Sequence, residues 1–101
     1  MVYTIEELRE KVKPIAKKYQ LSKVYLFGSY ARNEADDQSD IDLAIEQISD
    51  DYYSVYCDYV ELFGGNVDVL PVSTLLYPKT NIGQLVKRNF LKERVLLYEE
   101  G

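Results

Sequence analysis

Gly28 and Ser29 stand ten residues ahead of Asp40-Ile41-Asp42, in the stretch GSYARNEADDQSDIDL. In an extended chain successive side chains alternate faces, so Asp40 and Asp42 point the same way, roughly 6–7 Å apart at Cα. Carboxylates at that spacing suit a hard divalent cation. Mg²⁺ prefers oxygen ligands and takes one or two protein carboxylates, with water and substrate phosphates filling the rest. A Gly-Ser turn just upstream lets backbone N–H groups approach a phosphate. Asp68, within Asn66-Val67-Asp68-Val69-Leu70, supplies a third acid in a strand-like setting. On a neighbouring strand it would bind metal on the nucleophile side and accept the proton of an attacking hydroxyl. In two-metal phosphoryl chemistry the ions sit about 3.5–4 Å apart and stabilise both attacking and leaving oxygens. Two Mg²⁺ ions are the expectation here, held by Asp40, Asp42 and Asp68. Three like charges at close range raise one another's pKa unless a cation is bound. Gly28 and Ser29 read as a phosphate-binding turn, with Arg32 adding a charge contact to a triphosphate.

Each feature alone is ordinary. A Gly-Ser pair after a strand is usually a turn, and a lone Asp-x-Asp is usually a solvated strand face or a cap. The combination, lying between a buried strand and a half-buried one, is what points to a nucleotide-handling site.

The surrounding elements must position these groups. Thr4 followed by Glu7 is a capping box. Ile5, Leu8, Val12, Ile15, Ala16 and Tyr19 recur at helical spacing, which predicts a helix over residues 5–19 with Pro14 inside it and Arg9, Lys13 and Lys17 facing solvent. Val24-Tyr25-Leu26-Phe27 predicts a buried strand ending at Gly28. Ser29 to Arg32 reads as one helical turn, and Asn33 suits a left-handed backbone position. Residues 40–45 alternate: Asp40, Asp42 and Ala44 face one way, and Ile41, Leu43 and Ile45 the other. Ser49 or Asp50 can cap the next helix, whose stripe is Tyr52, Val55, Tyr56, Tyr59, Val60 and Phe63. Gly64-Gly65 stops it. Residues 67–70 predict a third strand ended by Pro71, and residues 73–80 a loop. Ile82, Leu85, Val86 and Phe90 suggest a further helix. Residues 95–98 read as a final strand or the end of that helix. Strands alternating with helices predict a single α/β domain over residues 1–101: a small mixed sheet with helices packed on it.

Composition narrows the chemistry. The chain of 101 residues has no histidine, which excludes Ser-His-Asp and Cys-His catalysis and His-ligated metals. Its one cysteine, Cys57, excludes a disulfide framework and reads as a small buried hydrophobe. No apolar run approaches a membrane span and the N-terminus lacks a signal-peptide core, so a cytoplasmic protein is expected. Residues 33–78 carry eleven acids and no Lys or Arg. No basic track for a polynucleotide is evident, and nucleic-acid binding is not expected. Of ten tyrosines, Tyr52, Tyr53, Tyr56 and Tyr59 cluster on one predicted helix. Tyr56 and Tyr59 read as core, Tyr52 and Tyr53 as candidates for exposure, and Tyr30 as a candidate to stack near a base.

The Gly28-Ser29, x10, Asp40-Ile41-Asp42 pattern resembles the signature of the nucleotidyltransferase superfamily with a polymerase-beta-like palm. With the Val67-Asp68-Val69 strand and the closing Arg94-Val95-Leu96-Leu97-Tyr98, the whole chain resembles the minimal nucleotidyltransferases, the MntA-like antitoxins paired with HEPN-domain toxins. The resemblance implies transfer of AMP from ATP to an acceptor hydroxyl, with Mg²⁺ and release of pyrophosphate. In the MntA-like group it implies a tyrosine acceptor on a HEPN toxin, silenced by adenylylation. By position, Asp40 and Asp42 match the metal-binding pair, Asp68 the third carboxylate, and Gly28 and Ser29 the triphosphate turn. Asn33 departs from the family's frequent glycine but tolerates the same backbone region. A domain this small implies that the acceptor is recognised through a partner surface, in a complex. The alternative is an antitoxin that neutralises its partner by contact alone. A small-molecule-modifying enzyme and a plain acidic interaction domain rank behind both.

Overall fold

Helix α1 (Ile5–Lys18) begins at the capping box: the Glu7 N–H donates to Thr4 Oγ1 at 3.1 Å and the Thr4 N–H to Glu7 Oε1 at 3.0 Å. Pro14 sits within it on the exposed side, while Leu8, Val12 and Ala16 are fully buried. These features belong to a computed structural model that describes residues 2–46 and 51–100.

The chain continues through β1 (Lys23–Phe27), β2 (Ile41–Glu46), α2 (Tyr52–Phe63), β3 (Val67–Pro71), α3 (Val72–Leu76), α4 (Asn81–Glu93) and β4 (Val95–Glu99). The four strands form one sheet in the order β3-β2-β1-β4. β1 runs antiparallel to β2 and to β4, while β2 and β3 are parallel. This is the mixed sheet expected from the loop joining β1 to β2 and from the helical crossover α2, because parallel neighbours need a long connection.

Helices cover both faces. On one face Leu8, Val12 and Ala16 of α1 and Val55, Tyr59 and Phe63 of α2 pack against Val24, Leu26, Ile41, Leu43, Ile45, Val67 and Val69. On the other, Val72 and Leu75 of α3 and Phe90 of α4 pack over Ala44 with Tyr25, Phe27 and Leu70. Phe90 meets Tyr25 and Phe27 edge-on at centroid distances of 5.7 and 5.6 Å. The buried Tyr59 hydroxyl donates to the Val12 carbonyl at 3.0 Å and ties α2 to α1.

Several expectations are corrected. Residues 73–80, read as a loop, include most of α3, because Val72 and Leu75 gain a core there that no local pattern announces. Ala44, on the strand face read as polar, is fully buried beneath α3 and α4. The helix expected from Ile82, Leu85 and Val86 forms, yet those three side chains are exposed and only Phe90 of α4 is buried. Cys57 is exposed, on the outward side of α2. Ser49 and Asp50 lie outside the described residues; Asp51 occupies the N-cap position of α2 and makes no side-chain capping bond. Residues 95–98 are resolved as strand, within β4.

Candidate active site

The acids assemble through strand register. Asp42 is the second residue of β2 and Asp68 the second of β3, and the parallel pairing sets them directly opposite each other. Paired residues on neighbouring strands share a face. That face carries Tyr25, Phe27 and Ala44. Ala44 lies under α3 and α4, whereas Asp42 is half-buried and Asp68 exposed. The two acids therefore occupy an uncovered margin of an otherwise packed surface. Asp40 is exposed in the segment just before β2.

The electrostatics reflect this crowding. Asp42 is pushed up to about 6, first by burial, then by the negative charges of Asp68 and Asp40, with Arg32 drawing it back down. Among the described residues no group of three or more Cys, Asp or Glu side chains is placed to hold a metal ion; the fold brings Asp42 and Asp68 together without gathering Asp40 into such a cluster. Mg²⁺ takes only one or two protein carboxylates and completes its shell with water and phosphate oxygens. The oxygen donors of Asp42 and Asp68, adjacent across the strand pair, fit such an ion.

The turn after β1 closes the site. Gly28 has φ +76°, a left-handed conformation that favours glycine. A Cβ built there would lie 2.2 Å from Asp42 Oδ2, so the missing side chain is space the carboxylate uses. Ser29 follows, and its carbonyl accepts from the Glu34 N–H at 2.9 Å. The Arg32 N–H donates to the Gly28 carbonyl at 3.1 Å, which closes one helical turn. Asn33 adopts the expected left-handed conformation, at φ 60°.

Arg32 reaches this region with partners of its own. Its Nε donates to Glu34 Oε2 at 3.1 Å and its Nη1 to Glu93 Oε2 at 3.0 Å. Glu34, two residues along, was within reach of local reasoning; Glu93, sixty-one residues away, gave no sequence signal. Tyr30 is 7% exposed in the α1–α2 core, so its ring is not free to stack on a base. Tyr53 is exposed, whereas the hydroxyl of half-buried Tyr52 donates to the Val69 carbonyl on the outer edge of β3. Burial, then Tyr56, then Asp68 push that phenol up.

Comparisons with known proteins bear on the family and the fold. Residues 10–100 match the family described as "Polymerase beta, Nucleotidyltransferase". A relative from Methanocaldococcus jannaschii, named "Putative protein adenylyltransferase", is 32% identical over 93 residues, spanning 91% of this chain and 92% of its own. A second so named, from the same organism, is 34% identical over 95 residues, with 90% and 95% covered. A solved toxin–antitoxin structure with AMP-PNP superposes with a TM-score of 0.66 at 17% identity, over 91% of this chain and 73% of the other. The complex of tri-AMPylated Shewanella oneidensis HEPN toxin with MNT antitoxin gives 0.62 at 14% identity, over 96% and 74%. At those identities the likeness is one of fold.

Proposed function

The chain belongs to the polymerase-beta nucleotidyltransferase family, and from that premise we propose that it transfers AMP from ATP to a hydroxyl of a partner protein. The acceptor we assign is a tyrosine of a HEPN-family toxin, and the consequence is neutralisation, as an antitoxin. The side-by-side placement of Asp42 and Asp68 by the Gly28 turn carries this reading, because adjacent carboxylates repel each other and a bound divalent cation relieves that repulsion. Relatives of nearly equal length named as adenylyltransferases support it, as does the fold shared with toxin–antitoxin structures.

The roles follow from position. Asp42 and Asp68, with Asp40 adding charge, would hold Mg²⁺. When bound, that ion supplies charge neutralisation for the triphosphate and the departing pyrophosphate. Gly28 and Ser29 present backbone N–H groups to phosphate oxygens at the opening of a helical turn. Arg32 offers a guanidinium to the triphosphate. Asp68, the more exposed carboxylate, would accept the proton of the attacking hydroxyl. The oxygen of that hydroxyl forms a bond to the α-phosphorus as the bond to pyrophosphate breaks.

Neutralisation by contact alone is the second reading. It draws on exposed Tyr77, Ile82 and Leu85 around the start of α4, which are suited to touching another protein. One experiment separates the two: incubation with α-labelled ATP, Mg²⁺ and a HEPN partner. Label on the partner that disappears with Asp42→Asn supports transfer. Neutralisation that persists undiminished in Asp42→Asn, with no label on the partner, defeats it.

A further inference from the structure

Arg32 lies in the loop beside Asp42 and is gripped from two sides. Glu34 is a local partner and its side chain is 64% exposed; Glu93 comes from the far end of the chain and is 22% exposed. Exposed pairs contribute little, and shielded ones with good geometry hold better. Glu93 is also the last residue of α4. A carboxylate there meets the negative end of the helix dipole, so its position is unfavourable for the helix itself. Its bond to Arg32 offsets that conflict.

The guanidinium has five N–H donors in a rigid fork. Glu34 and Glu93 engage Nε and Nη1. Among the described residues Nη2 has no protein hydrogen-bond partner. Two carboxylates thus hold the fork and leave Nη2 for another anion.

We propose that Glu93 is a positioning residue for nucleotide binding: from the end of α4 it holds the Arg32 guanidinium beside Asp42 with its Nη2 edge directed to the triphosphate. The proposal rests on the nucleotidyltransferase reading above. It makes α4, which carries none of the motif residues, part of the binding machinery. An Arg on a short loop has high rotamer freedom, and pre-paying that ordering raises affinity for the ligand.

Calorimetric titration of ATP with Mg²⁺ into the full chain tests it, using wild type, Glu93→Gln, Arg32→Ala and the double variant. The expected result is about a tenfold loss of ATP affinity in Glu93→Gln and no further loss when that change is added to Arg32→Ala. Glu93→Asp keeps the charge on a shorter arm and recovers part of the affinity. Thermal melts without nucleotide report folding separately. Equal losses in both backgrounds, no loss in Glu93→Gln, or tighter binding would each overturn the role. If wild type itself takes up no ATP with Mg²⁺, the nucleotidyltransferase reading falls as well, and the wild-type titration alone reveals that.

Discussion

Asp42 occupies the space that Gly28 leaves open: its Oδ2 lies 2.2 Å from where a Gly28 Cβ would be. The glycine is therefore required twice, by a positive φ and by the carboxylate beside it. Gly28→Ala strains the backbone by about 1–2 kcal/mol and pushes the Asp42 carboxylate aside. The expected outcome is a lowered unfolding midpoint in urea together with loss of ATP–Mg²⁺ binding. An alanine variant that binds nucleotide as wild type does would show the contact to be dispensable.

Asp42 also makes the metal-free protein sensitive to pH. Its carboxyl moves from 3.8 in the open chain to about 6 in the fold, so the folded state holds the proton more tightly. Its contribution to stability is whole below about pH 4 and is lost as pH rises through about 6. Asp42→Asn stays neutral and escapes this loss. In EDTA, wild type should weaken relative to Asp42→Asn across that window; urea midpoints in parallel buffers measure it. The thermal shift from ATP with Mg²⁺ should be larger above the window than within it, because protons compete with the ion.

Tyr59→Phe removes the hydroxyl that joins α2 to the Val12 carbonyl. A buried neutral hydrogen bond contributes about 1 kcal/mol, and a loss of that order is expected in chemical denaturation. Nucleotide affinity should not change, since Tyr59 packs on the face opposite Asp42.

On α4 the expected contrast is between neighbours. Phe90→Ala empties the contact with Tyr25 and Phe27 and costs about 3–5 kcal/mol. Leu85→Ser, at a position 54% exposed, changes stability by no more than about 0.5 kcal/mol. A large loss in Leu85→Ser would show that this side chain is covered in solution.

Local signals carried much of the architecture. The Thr4–Glu7 capping box, the helical stripe ended by Gly64-Gly65 and the apolar run before Gly28 each reflect interactions within a few residues, and each is found where periodicity sets it. The short helix α3 escaped because five residues cannot show a helical period and its stability comes from Val72 and Leu75 packing on the sheet. The burial of Tyr30 and the exposure of Cys57 have a related reason: the residue type by itself does not fix which way either side chain faces, and what packs nearby decides it.

The chain's order of residues marked, by itself, the acids and the turn as candidates and predicted that helices would alternate with strands, because these depend on side-chain chemistry and on spacing along one segment. Tertiary structure alone decided that Asp68 lies opposite Asp42, through parallel register, and that Glu93 holds Arg32 from sixty-one residues away. Register and docking arise from packing across the sheet, where the partners of each residue are distant in sequence and only the folded chain selects them.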